Sequence, residues 1–195
     1  MQQGKGPLSA SEGREALMLV RSSLEHFILN GRLLVPTKPF TGGLATPCGA
    51  FVSLHTRDGE LRGCIGHMQS DGPLGELLLE LAVAAGTRDS RFPAVTKQEL
   101  PDLVYEVSVL TPMVPTDPAK VVPGVHGLYV RRGHRSGVLL PQVATEWGWD
   151  REEFLAHTCN KAGLPADAWK QPGTEVLTFT AQVVSEEPGS PSGPP

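Results

Sequence analysis

The sequence has few cysteines, no excess of positive charge and no long apolar segment, and each shortage excludes a class of protein. Three cysteines in 195 residues argue against a disulfide framework and fit a reducing compartment. The 17 Lys and Arg against 21 Asp and Glu give a net charge of -4, so nucleic acid is not expected as a partner. The most apolar run, residues 77–85, is interrupted at Glu80 and is too short to cross a bilayer. We therefore expect no membrane span.

The start of the chain and the cysteine spacing exclude two further features. Residues 1–7 are polar and glycine-rich, without the basic patch and apolar stretch of a secretory signal, so we expect a cytoplasmic location. No cysteine pair is spaced as C-x-x-C, and His157 and Cys159 lie two residues apart on a predicted helix, so their side chains diverge. No metal site is expected.

Three amphipathic helices are predicted from apolar residues at helical spacing. The first, over 9–30, begins with a capping box of Ser9 and Glu12. The second runs over 72–87 and carries a wide apolar face, and the third runs over 150–163. An apolar face of this width on the second helix indicates that it covers a sheet.

Alternating apolar and polar residues predict strands between these helices. The best local signal is a hairpin of 50–55 and 60–65 around Asp58-Gly59, a pair suited to a tight turn. Further strands are predicted at 104–110, 128–130, 138–140 and 176–184. The elements together predict an α+β fold with a mostly antiparallel sheet flanked by helices. We expect residues 1–184 to form one domain and 185–195, rich in proline and poor in apolar residues, to form a disordered tail.

Cys64 is the first candidate catalytic residue. With a two-residue turn at Asp58-Gly59, Ser53 faces Cys64 and His55 faces Arg62, so the thiol lies among polar groups that favour thiolate. This arrangement predicts a nucleophilic or redox-active cysteine. The alternative is that Cys64 is a small core residue, since free cysteine is often buried.

Glycines flank this thiol. Gly63 and Gly66 lack side chains, so a substrate or a neighbouring backbone can come close, and N–H groups near Cys64 could stabilise an oxyanion. The same glycines could instead permit a bulge or close helix packing. Both alternatives predict a close approach at this strand.

Charged residues elsewhere supply further candidates. Arg88, Asp89 and Arg91 follow the second helix and could bind an anionic ligand, or Asp89 could simply hold an arginine. Glu106 lies within an apolar strand and is a candidate general acid or base, or it could line a solvated face and pair with Arg62.

A pair of tryptophans, Trp147 and Trp149, precedes the third helix. Together with Cys159 and Lys161 on that helix, they could form an aromatic wall beside a second thiol. Packing of a capped amphipathic helix explains the same residues.

The segment Leu61-Arg62-Gly63-Cys64-Ile65-Gly66 resembles the six-residue signature of the AMMECR domain family, and similar motifs follow across most of the chain. They include Arg88-Asp89 with Arg91-Phe92-Pro93, Glu106 to Leu110, His126-Gly127-Leu128, Leu139 to Val143, Trp147-Gly148-Trp149, Glu153-Phe154-Leu155, Cys159 and Lys161 to Pro165. Ser90 and Asn160 depart from the family pattern, and neither removes a candidate group.

The resemblance implies an α+β fold with a larger and a smaller lobe and a cleft beside the signature cysteine. It also implies a place in an AmmeMemoRadiSam system as protein A, in a pathway with a Memo-type protein and a radical S-adenosylmethionine protein. The site that the resemblance implies consists of the residues that match the family motifs, namely Arg62, Gly63, Cys64, Gly66, Arg88, Asp89, Arg91 and Glu106. The resemblance does not identify a cofactor, which stays unknown.

Two hypotheses follow from the residues and the resemblance together. In the first, the protein is a thiol-dependent enzyme or enzyme-like component in which Cys64 and Glu106 are catalytic. The arginines and glycines of the motifs then bind a small anionic substrate. In the second, it is an adaptor that binds a small molecule or a partner in the same cleft without catalysing a reaction.

Overall fold

The computed structural model describes residues 7–187, which contain four helices and two antiparallel sheets. The predicted α+β class with an antiparallel arrangement is confirmed. The helices are α1 (Ala10–Asn30), α2 (Leu74–Thr87), α3 (Pro141–Glu146) and α4 (Arg151–Lys161). The strands are β1 (Ala50–His55), β2 (Leu61–His67), β3 (Val104–Leu110), β4 (Val114–Pro115), β5 (Gly127–Arg132), β6 (Arg135–Leu139), β7 (Glu175–Phe179) and β8 (Ala181–Ser185).

These elements form two compact units, one of residues 7–110 with 182–187 and one of residues 111–181. The first unit has a four-stranded sheet in the order β2-β1-β3-β8. Helix α2 contacts both this sheet and α1, which explains why nearly all its residues are buried. Alternate residues of β1, namely Ala50, Val52 and Leu54, project into the core beneath the helices.

The first helix begins and ends as the sequence predicts. Ser9 and Glu12 form the capping box, and Gly31 ends the helix with a φ of 67°. The Glu12 carboxylate also accepts the N–H of Gly43 at 2.6 Å. The hydrogen bond from the Ser9 side chain, followed by those from backbone N–H groups, lowers the pKa of Glu12 to about 2.

The end of the described chain is more ordered than the sequence predicts. Ser185 completes β8, and the Glu186 carboxylate accepts Nε and Nη2 of Arg21 at 3.0 and 2.7 Å and the N–H of Tyr105 at 3.0 Å. The predicted start of a disordered tail at residue 185 is therefore wrong, because this charge-assisted clamp fixes the chain through residue 186. Residues 188–195 of the predicted tail lie outside the described residues.

The second unit has a four-stranded sheet in the order β4-β7-β5-β6, against which α4 packs. The strand predicted over 176–184 is broken at Thr180, so β7 lies in this sheet and β8 in the other. The Thr180 N–H donates to the Thr111 hydroxyl at 2.8 Å, and the Thr111 N–H donates to the Thr180 carbonyl at 2.9 Å. These two bonds hold the break, which no turn residue marks in the sequence.

Helix α3 was not predicted. It starts with a proline, whose fixed φ suits the first position of a helix, and its six residues are too few to show a clear period. Within residues 7–187, no helix is long and apolar enough to cross a membrane.

Candidate active site

Three polar side chains form one row across the sheet of the first unit. Ser53 on β1 pairs directly with Cys64 on β2 and with Glu106 on β3. Directly opposed residues project to the same face, so the three side chains lie side by side. All three are half-buried, whereas Val52 and Leu54, which project to the other face, are fully buried. This polar row of Ser53, Cys64 and Glu106 therefore lies on the half-buried face of the sheet opposite the helix-covered core, which we call the open face.

The contacts within the polar row are sparse. The Ser53 hydroxyl donates to the Cys64 sulfur at 3.3 Å. Within residues 7–187 the Glu106 carboxylate has no hydrogen bond or ion pair, and Arg62, weighed as its partner, donates instead to Glu99 at 2.7 Å. Because neighbouring strands lie about 4.8 Å apart, the Cα atoms of Cys64 and Glu106 are separated by about 10 Å. Ser53 occupies the space between them.

The backbone of Cys64 is held by the loop that follows α2. The Asp89 carboxylate accepts the Cys64 N–H at 2.8 Å and Nε and Nη2 of Arg91 at 3.0 and 2.7 Å. Nη2 of Arg91 also lies 3.5 Å from the Cys64 carbonyl oxygen. Strand β2 is at the edge of the sheet, so this loop satisfies backbone groups that lack a strand partner. We call Asp89 and Arg91 the edge clamp.

The electrostatics of the edge clamp favour the charged forms of both residues. The Arg91 side chain, through its hydrogen bonds, holds the pKa of Asp89 well below its usual range, and the N–H of Cys64 acts in the same direction. The hydrogen bond with Asp89 in turn raises the pKa of Arg91. The Asp89 side chain is only 5% exposed, whereas that of Arg91 is 56% exposed. A deeply placed carboxylate thus positions a guanidinium that still reaches solvent.

Arg88 occupies a different position from the edge clamp. It caps the end of α2, is exposed, and its side chain makes no hydrogen bond or ion pair among residues 7–187. The two arginines predicted to bind an anion thus differ: Arg91 is committed to Asp89 through two of its nitrogens, and Arg88 is uncommitted. Anion binding by this pair stays a prediction.

The two signature glycines permit close contacts. A Cβ on Gly63 would overlap the carbonyl oxygen of Ala85, so the glycine lets the end of α2 lie against β2. A Cβ on Gly66 would overlap the ring of Phe51, its direct cross-strand neighbour. The expectation that an N–H beside the thiol could stabilise an oxyanion is wrong for the N–H of Cys64, because Asp89 accepts it.

The predicted pairing of His55 with Arg62 is wrong. The β1–β2 register shifts after Leu54, so that His55 faces Leu61. The cause is the turn: the Thr56 N–H bonds to the Glu60 carbonyl, and Gly59 adopts a φ of 85°, which adds one residue to the loop. Ser53 remains opposite Cys64 as expected, because the shift occurs on the turn side of this pair.

Two residues that shape the site were not among the predicted site residues. Ser53 follows from the alternation in 50–55, which places it on the face of the thiol. Glu99 is indicated by the pattern Thr96-x-x-Glu99, since the Thr96 N–H and hydroxyl both donate to its carboxylate at 2.8 Å. The hydrogen bond from Arg62 is the main cause that lowers the pKa of Glu99 to about 2.

The other two cysteines pack against the hydrophobic cores of their units. Cys159 is fully buried in α4, and burial raises the pKa of its thiol. Cys48 is half-buried beside the core of the first unit, and burial raises its pKa as well. All three cysteines are free. Residues 7–187 contain no cluster of three side chains suited to a metal ion.

The fold and the polar row define an α+β protein with a candidate thiol site on an open sheet face. Comparison with known proteins gives its family: residues 17–184 match the model of the AMMECR1 family. The chain belongs to this family.

The relatives cover nearly the whole chain. A protein of Methanothermobacter thermautotrophicus is 44% identical over 188 residues, spanning 93% of this chain and 97% of the relative. A protein of Thermococcus gammatolerans is 44% identical over 192 residues, spanning 93% of both. The crystal structure of the uncharacterized protein PH0010 from Pyrococcus horikoshii matches with a TM-score of 0.82 and 40% identity, over 96% of this chain and 97% of that chain.

Proposed function

We propose that the protein is a thiol-dependent enzyme or enzyme-like component whose nucleophile is Cys64. The observation that carries this proposal is that the backbone of Cys64 is held by several contacts while its side chain has few. Its backbone is fixed by the edge clamp, while its side chain lies on the open face with only the Ser53 hydroxyl as partner. A fixed backbone with a free functional group is what a positioned nucleophile requires.

The polar row suggests how the groups divide the work. The Cys64 thiol first loses its proton to water, and the thiolate then attacks an electrophilic carbon of the substrate, forming a sulfur–carbon bond as a leaving group departs with the electron pair of the broken bond. The Ser53 hydroxyl, which donates to the sulfur, holds the thiol in place before the attack. Glu106 lies two strands away from Cys64, so it acts on a substrate that extends across Ser53 and exchanges a proton with its leaving or attacking group.

The charges beside the row define the substrate class. Arg88 at the end of α2 and the exposed part of Arg91 in the loop that follows supply guanidinium groups, and guanidinium binds carboxylate and phosphate groups well. The substrate of this proposal is therefore a small anionic molecule. Arg62 is excluded from this role because it is paired with Glu99 and its side chain is only 13% exposed, against 56% for Arg91.

Alkylation with a charged and a neutral reagent tests the proposal. Iodoacetate and iodoacetamide transfer similar groups to a thiol but differ in charge. The quantity compared is the rate with iodoacetate divided by the rate with iodoacetamide. We expect this ratio at Cys64 to be about fivefold higher in the folded protein than in the unfolded chain. Mass spectrometry of the labelled peptides measures both rates.

Two variants give this experiment its controls. Arg88→Ala removes an unpaired charge without disturbing the edge clamp, so the rate ratio should fall toward that of the unfolded chain. Arg91→Lys keeps the charge and should retain most of the effect. Equal ratios in the folded and unfolded chains would refute the anionic substrate, and an unlabelled Cys64 would refute the thiol chemistry.

A second candidate function is binding without catalysis. It is favoured by one observation: the thiol contacts a hydroxyl, and within residues 7–187 no histidine or carboxylate is bonded to it as a base. The same face, with the Phe51 ring over Gly66, would then hold a small molecule or a segment of a partner. Cys64→Ser separates the two functions, since an enzyme loses turnover and a binding module keeps its ligand.

Family membership also supports the proposed setting. In a cytoplasmic AmmeMemoRadiSam system the protein would act with a Memo-type protein and a radical S-adenosylmethionine protein. Free cysteines at all three positions fit a reducing compartment. Co-purification of the three proteins from cells that express them together tests this setting, and their separate elution at physiological salt would count against it.

A further inference from the structure

A stack of three aromatic rings lies on the surface of the second unit. The rings of Trp147 and Trp149 are nearly parallel, with centroids 6.0 Å apart and an interplanar angle of 17°. Trp149 stacks in turn on His157, at 3.9 Å and 7°. Gly148, between the tryptophans, has a φ of 66°, a left-handed conformation that glycine adopts without strain. We call Trp147, Trp149 and His157 the aromatic stack.

The members of the aromatic stack differ in burial. Trp149 packs against the hydrophobic core of the second unit, which accounts for its presence. Trp147 is 70% exposed, so packing gives no comparable reason for it. Its ring is nevertheless held by the parallel contact with Trp149. A large aromatic side chain that is both exposed and ordered is the type that most often dominates binding energy at interfaces.

The residues around Trp147 are mainly acidic. Glu146 precedes it, and Asp150 and Glu153 follow Trp149; all three are exposed. Asp150 and Glu153 accept each other's backbone N–H groups in the capping box at the start of α4, which holds both carboxylates in the turn that directly follows Trp149.

The two basic residues of α4, Arg151 and Lys161, do not neutralise this surface at Trp147. Arg151 directs its guanidinium to the carbonyl oxygen of Ala119 at 3.0 Å. Lys161 lies one helical turn beyond His157 on α4, next to the member of the aromatic stack that does not contact Trp147. The surroundings of Trp147 thus favour a cation and repel phosphate and carboxylate groups.

We propose that the aromatic stack binds an arginine side chain of a partner protein. A guanidinium is planar and weakly hydrated, so it lies flat on an indole and its charge is attracted by the ring. The acidic side chains beside Trp147 add the complementary charge that gives such a contact its specificity. The proposal is independent of Cys64, because the residues that carry it all belong to the second unit.

Two peptides of one sequence test this proposal, one with four arginines and one with four citrullines, which have a similar shape but no charge. The probe is the set of indole N–H signals in a nitrogen-15 NMR spectrum, one for each of the three tryptophans. We expect the arginine peptide to shift the Trp147 signal saturably and to bind at least about fivefold more tightly than the citrulline peptide.

Three variants separate this contact from general attraction to an acidic protein. Trp147→Leu keeps every charge and should weaken the arginine peptide about fivefold, whereas Trp147→Phe should retain most of the binding. Trp169→Leu, at the half-buried tryptophan that lies outside the aromatic stack, should leave peptide binding unchanged. Equal affinity for the two peptides, unchanged binding by Trp147→Leu, or the absence of a saturable shift would each overturn the proposal.

Discussion

In each of the two units a glycine allows a helix to pack closely against a strand. The cysteines of these elements, Cys64 and Cys159, nevertheless lie in opposite environments. In the first unit Gly63 lets α2 lie against β2, and in the second unit Gly137 lets the end of α4 lie against β6. Yet Cys64 projects onto an open sheet face, and Cys159 is fully buried. Close helix–strand packing is thus a property of both units, while an accessible thiol belongs to one.

Two residues of the family motifs, Gly63 and Asp89, have structural roles. Gly63 and Asp89 act on the backbone of the Cys64 strand: one admits the helix, the other binds the Cys64 N–H. They support a side chain whose own contacts are few. The counterpart in the second unit, Cys159, has apolar neighbours that account for it without a reaction.

The largest effect is expected from filling the two glycine contacts. Gly63→Ala and Gly137→Ala each place a methyl group against helix backbone, and each should lower the free energy of unfolding by about 3 kcal/mol. Gly72→Ala is the matched control, because its new methyl would meet nothing closer than 3.9 Å. Urea unfolding measures all three. A loss below about 1 kcal/mol at Gly63 would mean that α2 does not lie where described.

The second largest loss of stability is expected from a change in the edge clamp. Asp89→Asn removes the charge that holds Arg91 and weakens the bond to the Cys64 N–H, so we expect a loss of about 2 kcal/mol at neutral pH. Because the folded state lowers the pKa of Asp89, its contribution is complete above the usual aspartate pKa and is lost as the pH falls through the folded value. The variant should therefore lose less stability on acidification than the natural chain.

The control for the edge clamp is an exposed ion pair of the same type. Asp102 pairs with Arg57, and both side chains are more than half exposed. Asp102→Asn should change stability by less than about 0.5 kcal/mol. Equal losses in the Asp89 and Asp102 variants would show that the edge clamp is an ordinary surface pair.

Replacing the two thiols should have smaller effects on stability, and these effects should differ between Cys64 and Cys159. Cys159→Ser places a hydroxyl in an apolar core and should lower stability by about 1.5 kcal/mol, whereas Cys64→Ser keeps a polar contact to Ser53 and should change it by less than about 0.5 kcal/mol. Thermal unfolding of the two variants side by side measures the difference. A larger loss at Cys64 than at Cys159 would make Cys64 a packing residue.

The features of the first unit that depend on a local sequence signal could be predicted. The α1 capping box, the α2 apolar face and the facing of Ser53 and Cys64 all depend on spacing within one or two elements. The signature motif that carries the family resemblance lies in β2, the strand of the candidate site.

The parts that could not be predicted depend on contacts distant in sequence or on turn geometry. The bond from the Cys64 N–H to Asp89 joins residues 25 positions apart, and nothing in either segment indicates it. The loss of the His55–Arg62 pairing follows from one additional loop residue, and a single such residue changes every pairing on the turn side. The pairing of Arg62 with Glu99 is of the same long-range kind.

The proposed function requires an accessible thiol at Cys64, and the alkylation rates of the cysteines in the folded protein test this requirement most directly. Iodoacetamide at neutral pH, followed by mass spectrometry, compares each rate with that of the same cysteine in the unfolded chain. We predict that Cys64 reacts within about tenfold of its unfolded rate, while Cys159 is slowed more than about 100-fold because it reacts only when α4 opens. Protection of Cys64 equal to that of Cys159 would contradict the account.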